Sequence, residues 1–89
     1  MGKDKCVICG SLADRMLPVA GFVEFNCLEC RSYSISEDVL RSVAEDGRSF
    51  YVARTQTLLE AERKGRPIPV ITRLEVTVHE LMSPIVNFD

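Results

Sequence analysis

Cys6-Val7-Ile8-Cys9-Gly10 and Cys27-Leu28-Glu29-Cys30-Arg31 decide how this chain folds. They contain all four cysteines of the 89-residue sequence, in the pattern C-x2-C-x17-C-x2-C. Two cysteines three positions apart on a tight turn aim both sulfurs at one ion about 2.3 Å away, and two such turns complete a tetrahedron. The spacing is that of a zinc site, with Cys6, Cys9, Cys27 and Cys30 as ligands and one Zn²⁺ per chain. Gly10 suits a knuckle whose backbone passes through positive φ. Arg31 stands at the equivalent place after Cys30, where glycine is common. This predicts a somewhat different second turn and a cation beside the thiolates. Four protein ligands leave the metal no open position, so the expected role is structural, not catalytic.

Other uses of the cysteines fit less well. Two disulfides would need an oxidising compartment. The chain shows neither an apolar run of bilayer length nor an apolar stretch after Met1–Lys5 that would make a secretory signal. Met1-Gly2 resembles a myristoylation start, but Cys6 occupies the position that needs Ser or Thr. A cytoplasmic protein with reduced thiols is the expectation. A redox CxxC would sit at a strand-to-helix junction in a βαβ setting, and none is visible. Iron uses similar ligands; the small β-hairpin setting favours zinc without excluding iron.

Outward from the cysteines, Met16–Val19 and Phe22–Phe25 read as strands flanking an Ala20-Gly21 turn. Ser11–Arg15 reads as irregular. Phe22, Glu24 and Asn26 should share one face, with Val23 and Phe25 on the other. Tyr33-Ser34-Ile35 reads as a short third strand. A helix is expected after Ser36, a good N-cap, with Glu37 and Asp38 in its first turn and Gly47 as its stop. Val39, Leu40 and Val43 form its apolar stripe. A second helix should follow Ser49 and run to about Lys64, ended by Gly65. Leu58 and Leu59 are its core anchors, and Phe50 and Tyr51 are placed in the core. Pro67 and Pro69 force residues 66–70 to be extended. Thr72 and Glu75 spell a capping box, with Ile71 and Val76 as a staple, so a short third helix from Arg73 to Met82 is predicted. The competing reading is a strand, because Leu74, Val76 and Val78 alternate. Pro84 ends the element, and Ile85–Asp89 is read as a tail.

With these residues in place, Cys6-x-x-Cys9-Gly10 … Cys27-x-x-Cys30-x-x-Tyr33-x-Ile35-Ser36 resembles a zinc ribbon, as found at the N-termini of many small prokaryotic proteins. It covers roughly a third of the chain. It is loosely similar to the N-terminal zinc domain of the YgiT/MqsA-type antitoxins, which also carries CxxC pairs ahead of helices. That resemblance implies a folding and toxin-binding module, with DNA binding in a separate helix-turn-helix. No such signature is clear in residues 37–89.

A chain this short buries a modest core and benefits from a metal staple. Net charge is −2, but it is unevenly spread. Residues 47–73 carry six basic and two acidic side chains. Arg48, Arg54, Arg63, Lys64, Arg66 and Arg73 are therefore candidate contacts to nucleic acid or to a partner. Against this stands an ordinary solvated helix face, with Glu60 and Lys64 as an i,i+4 pair. Exposed aromatics for base stacking are few, Phe22 or Phe25 being the choices. His79 is the only histidine and reads as a surface or core residue. No phosphate loop, HExxH, GxSxG or calcium-loop motif is present.

These readings converge on an α+β fold. Residues 1–36 form a zinc ribbon of two to three short antiparallel strands. Residues 37–89 form a helical extension of two or three helices packed on it, making one compact domain. The function expected is a non-catalytic structural-zinc module for protein–protein interaction, the partner being another protein or a second copy. The alternative is a nucleic-acid-binding or regulatory protein using residues 48–73. No enzyme activity, membrane partner or small-molecule substrate is expected.

Overall fold

The computed structural model describes residues 2–83, and side chains from Asp4 onward. The chain is α+β. A five-stranded sheet runs in the order β1 (Gly2–Lys5), β2 (Leu12–Arg15), β3 (Phe22–Cys27), β4 (Arg31–Ser36) and β5 (Val70–Ile71). The first four strands pair antiparallel, and β5 lies parallel to β4. Three helices, α1 (Glu37–Asp46), α2 (Val52–Glu62) and α3 (Arg73–Val78), complete the fold.

Each CxxC pair is the turn of a hairpin. Lys5 pairs with Leu12 across the first, and Cys27 pairs with Arg31 across the second. The first turn is closed by Cys6 N–H to Ser11 O at 2.7 Å and Gly10 N–H to Cys6 O at 2.9 Å. This geometry moves one strand from its expected place. The partner of β3 is Leu12–Arg15, read from sequence as irregular, and not Met16–Val19. Pro18 has no N–H to give a ladder. Met16–Val19 retains Met16 N–H to Glu24 O at 2.9 Å and a reciprocal pair between Val19 and Phe22. The Ala20-Gly21 turn does form, with φ of 53° and 82°. Positive φ at both central residues is the mark of a type I′ hairpin turn. β1 was not expected, since Lys3-Asp4-Lys5 has no strand signature; it exists because the first knuckle folds it back on β2.

Alternation along β3 is as expected: Val23, Phe25 and Cys27 are buried, while Glu24 is half-buried and Asn26 exposed. In register, Val23 meets Ile35, Phe25 meets Tyr33 and Ala13 meets Cys27. The Phe25 and Tyr33 rings stack at 5.4 Å, a contact worth about 0.5–1.5 kcal/mol beyond burial. The helices supply the other half of this core through Val39, Leu59 and Val76, joined by Phe50, Ile71, Leu81 and Met82. Leu59 is 1% exposed, which contributes about 1.5–3 kcal/mol. Leu58 is only half-buried against the core.

Four helix expectations need correction. Ser36 occupies the N-cap position of α1 with extended backbone, but its hydroxyl caps nothing. It donates to Asp38 Oδ1, which also accepts Val39 N–H at 2.9 Å. α2 begins at Val52, not directly after Ser49, because residues 49–51 run extended against the chain beyond α3. Tyr51 N–H bonds Leu81 O at 2.7 Å, and Ser83 N–H bonds Ser49 O at 2.8 Å. Tyr51 is consequently 43% exposed and outside the core, its ring covered by the Arg54 guanidinium at 4.9 Å. α3 forms with its capping box, Glu75 Oε1 accepting Thr72 N–H at 3.0 Å. It stops at Val78 instead of Met82. Glu80 turns left-handed at φ 49°, and Leu81 N–H returns to Val76 O at 3.1 Å. That is a helix stop of the kind glycine usually provides. The stop expected at Pro84 and the tail at Ile85–Asp89 lie outside the described residues.

Candidate metal centre

The two hairpin turns bring the four cysteine sulfurs within 4.8 Å of one another. Cys6 Sγ lies 3.8 Å from Cys30 Sγ, and Cys9 Sγ lies 3.5 Å from Cys27 Sγ. A tetrahedron with metal–sulfur bonds of about 2.3 Å has edges of about 3.8 Å. The four residues therefore fit a four-coordinate ion such as zinc. All four are free cysteines, and their sulfurs stand well beyond the ~2.05 Å of a disulfide. Cys6, Cys27 and Cys30 are buried, while Cys9 is half-exposed.

The second turn is closer to the first than its sequence suggests. Arg31 takes φ 67°, beside 79° at Gly10. An arginine thus performs the left-handed step that glycine performs in the first knuckle, at a backbone cost of about 1–2 kcal/mol. Its side chain is not devoted to the sulfurs. It is 67% exposed and pairs with Glu60 at 3.6 Å.

Several groups around the sulfurs were invisible in the pattern of cysteines. Tyr33, fully buried, places Oη 3.1 Å from Cys6 Sγ. Gln56 Nε2 donates to Cys30 Sγ at 3.3 Å, and Glu29 N–H to Cys27 Sγ at 3.3 Å. Arg63 reaches across from α2 to Cys30 O and to Ser32 O, the latter at 2.9 Å. Tyr33 lies three residues after Cys30, a spacing any reader could have tested. Gln56 and Arg63 stand 26 and 33 residues from Cys30, and nothing local marks them.

Electrostatics divide the thiols. Burial pushes Cys30 well above the ordinary thiol range, against the bond from Gln56. Cys27 is also raised by burial, although backbone N–H groups of Cys30 and Glu29 oppose it. Burial works the same way on Cys9, but the Ser11 hydroxyl and amide, together with Cys27 and Cys30, outweigh it and bring the thiol down to about 7. The Tyr33 hydroxyl is held far above its usual range, first by burial and then by its contact with Cys6. It is therefore a proton donor when Cys6 is a thiolate.

The basic segment is dispersed. Arg48 Nε donates to Ser83 O at 2.7 Å, and Arg54 Nη1 to Glu80 O at 2.8 Å. Both line a hollow beside Tyr51 and Met82. Arg63 is beneath the second knuckle, and Arg73 pairs with Asp38 at 3.9 Å. Lys64 and Arg66 are exposed in the turn after α2. His79 is exposed at the end of α3. Among the described residues, no helix is long and apolar enough to cross a membrane. No family model, curated protein or solved structure matches this chain.

Proposed function

We propose that the chain is a binding module without catalytic activity of its own, held together by one zinc ion and acting through protein–protein contact in a reducing compartment such as the cytoplasm. The observation that supports this most is the sulfur tetrad, whose separations of 3.5 and 3.8 Å suit a closed tetrahedral site. Cys6, Cys9, Cys27 and Cys30 would hold the ion. When bound, it supplies a cross-link between the two hairpins and no open position for a substrate. Such a site contributes on the order of 10 kcal/mol to folding, which a core this small does not supply by itself. The likeness to zinc ribbons, and loosely to the zinc domain of YgiT/MqsA-type antitoxins, supports a protein as partner.

Metal analysis of the purified protein tests the reading. About one zinc per chain is expected, with no iron. Cys27→Ser should lose the ion and the cooperative melt together. A metal-free chain that is fully folded overturns it.

The nucleic-acid alternative draws on Lys64 and Arg66, which remain exposed, while Arg48, Arg54 and Arg63 are engaged with main-chain carbonyls. It requires salt-sensitive binding to generic DNA or RNA. Absence of binding at low salt removes it.

A further inference from the structure

The helices cover one face of the sheet and leave the other open. An open antiparallel face is ordinarily polar, and Asn26, Ser32 and Ser34 follow that rule. One corner breaks it. There Met16, Leu17, Val19, Phe22 and Val70 surround Glu24 in a groove of about 330 Å³. Leu17 is 77% and Val19 72% exposed. Glu24 is the one ionisable group lining the groove, and among the described residues its carboxylate has no hydrogen bond or ion pair. Apolar walls around an unpaired carboxylate suit an apolar segment that carries a cation.

The same chain displays such a segment. On α3, Leu74 and Val78 are i and i+4 and lie 66% and 63% exposed. Arg73 stands beside Leu74, 68% exposed and held by Asp38 only at 3.9 Å. Groove and helix are neighbours: Val70 lines one, Arg73 begins the other, and two residues separate them. Were a two-fold axis to pass through that junction, each copy would make both contacts and the pairing would close instead of extending into a filament.

We infer that the chain forms a symmetric dimer in which the exposed side of α3 of each copy seats in the other's groove, Arg73 facing Glu24. This deepens the interaction reading above by naming the partner as a second copy. Sedimentation velocity of the zinc-loaded full chain, from micromolar to millimolar, tests it. A concentration-dependent dimer is expected. Glu24→Arg should weaken it about tenfold or more by placing like charges together. Leu74→Asp, at an exposed site, should do the same without lowering the melting temperature. Glu24→Arg combined with Arg73→Glu should restore pairing. A monomer throughout, or a dimer indifferent to Glu24→Arg and Leu74→Asp, overturns the inference. Zinc content measured on the same samples separates the two claims: a zinc-loaded monomer sinks the dimer and leaves the metal reading standing.

Discussion

Tyr33 joins the metal centre to the core. Its ring stacks on Phe25, while its hydroxyl lies 3.1 Å from Cys6 Sγ. Because burial keeps that hydroxyl protonated, it would donate to a metal-bound Cys6 thiolate and offset part of the charge that four sulfurs would place around a divalent ion. Tyr33→Phe keeps the stacked ring and removes only the donor. Bonds of this kind to metal ligands are worth about 10–100-fold in affinity. Zinc affinity, measured by competition with a chromophoric chelator, should fall by about tenfold while the zinc-loaded variant keeps its native circular dichroism. Unchanged affinity would mean that the contact is packing alone. The cysteines themselves were legible in sequence because ligand geometry imposes a spacing. Tyr33 stood within the same motif, but Gln56 and the placing of Arg63 were not legible, because they depend on which helix is folded over the sulfurs.

α1 shows why an element can be read correctly and its cap wrongly. The stripe of Val39, Leu40 and Val43 and the left-handed Gly47 delimit it in sequence and in structure. At its start, however, Ser36 and Asp38 compete for the same amide groups, and the carboxylate is the stronger acceptor. Asp38 has its pKa lowered, chiefly by the Ser36 hydroxyl and further by Val39 N–H and Arg73. The folded value lies below the unfolded value of about 3.9. Its stabilisation is therefore present above that unfolded value and is lost as pH falls through the folded one. Asp38→Asn should lower the melting temperature at neutral pH and narrow the gap to wild type in acid, since both then carry a neutral group. Parallel melting curves across that range would show that Asp38 contributes nothing specific. The boundaries of α2 and α3 were less legible for a different reason. Both are set by the pairing of residues 49–51 with 81–83, a contact between segments about thirty residues apart for which no local signal exists.

At the scale of the molecule, the question is whether the helices fold without the metal. The buried cluster is continuous: Cys6, Cys27 and Cys30 belong to the same core as Leu59, Val76 and Leu81. Arg63 and Gln56 tie α2 to the second knuckle, and β5 attaches the segment before α3 to β4. Removing a bound ion would leave the two hairpin turns without their cross-link and three buried thiols without a metal to ligate. A shared core should then fail as a unit. Chelator titration is expected to abolish helical circular dichroism and the near-ultraviolet signal of Tyr33 in one coincident transition, and added zinc should restore both. The transition should occur at lower chelator as pH is lowered, with the zinc-buffering strength of the chelator held constant. Zinc must displace protons from the cysteine thiols to bind them, and acid favours the protonated side of that exchange. Helical signal that outlives the loss of zinc would show instead that residues 37–83 hold their fold without the cysteine site.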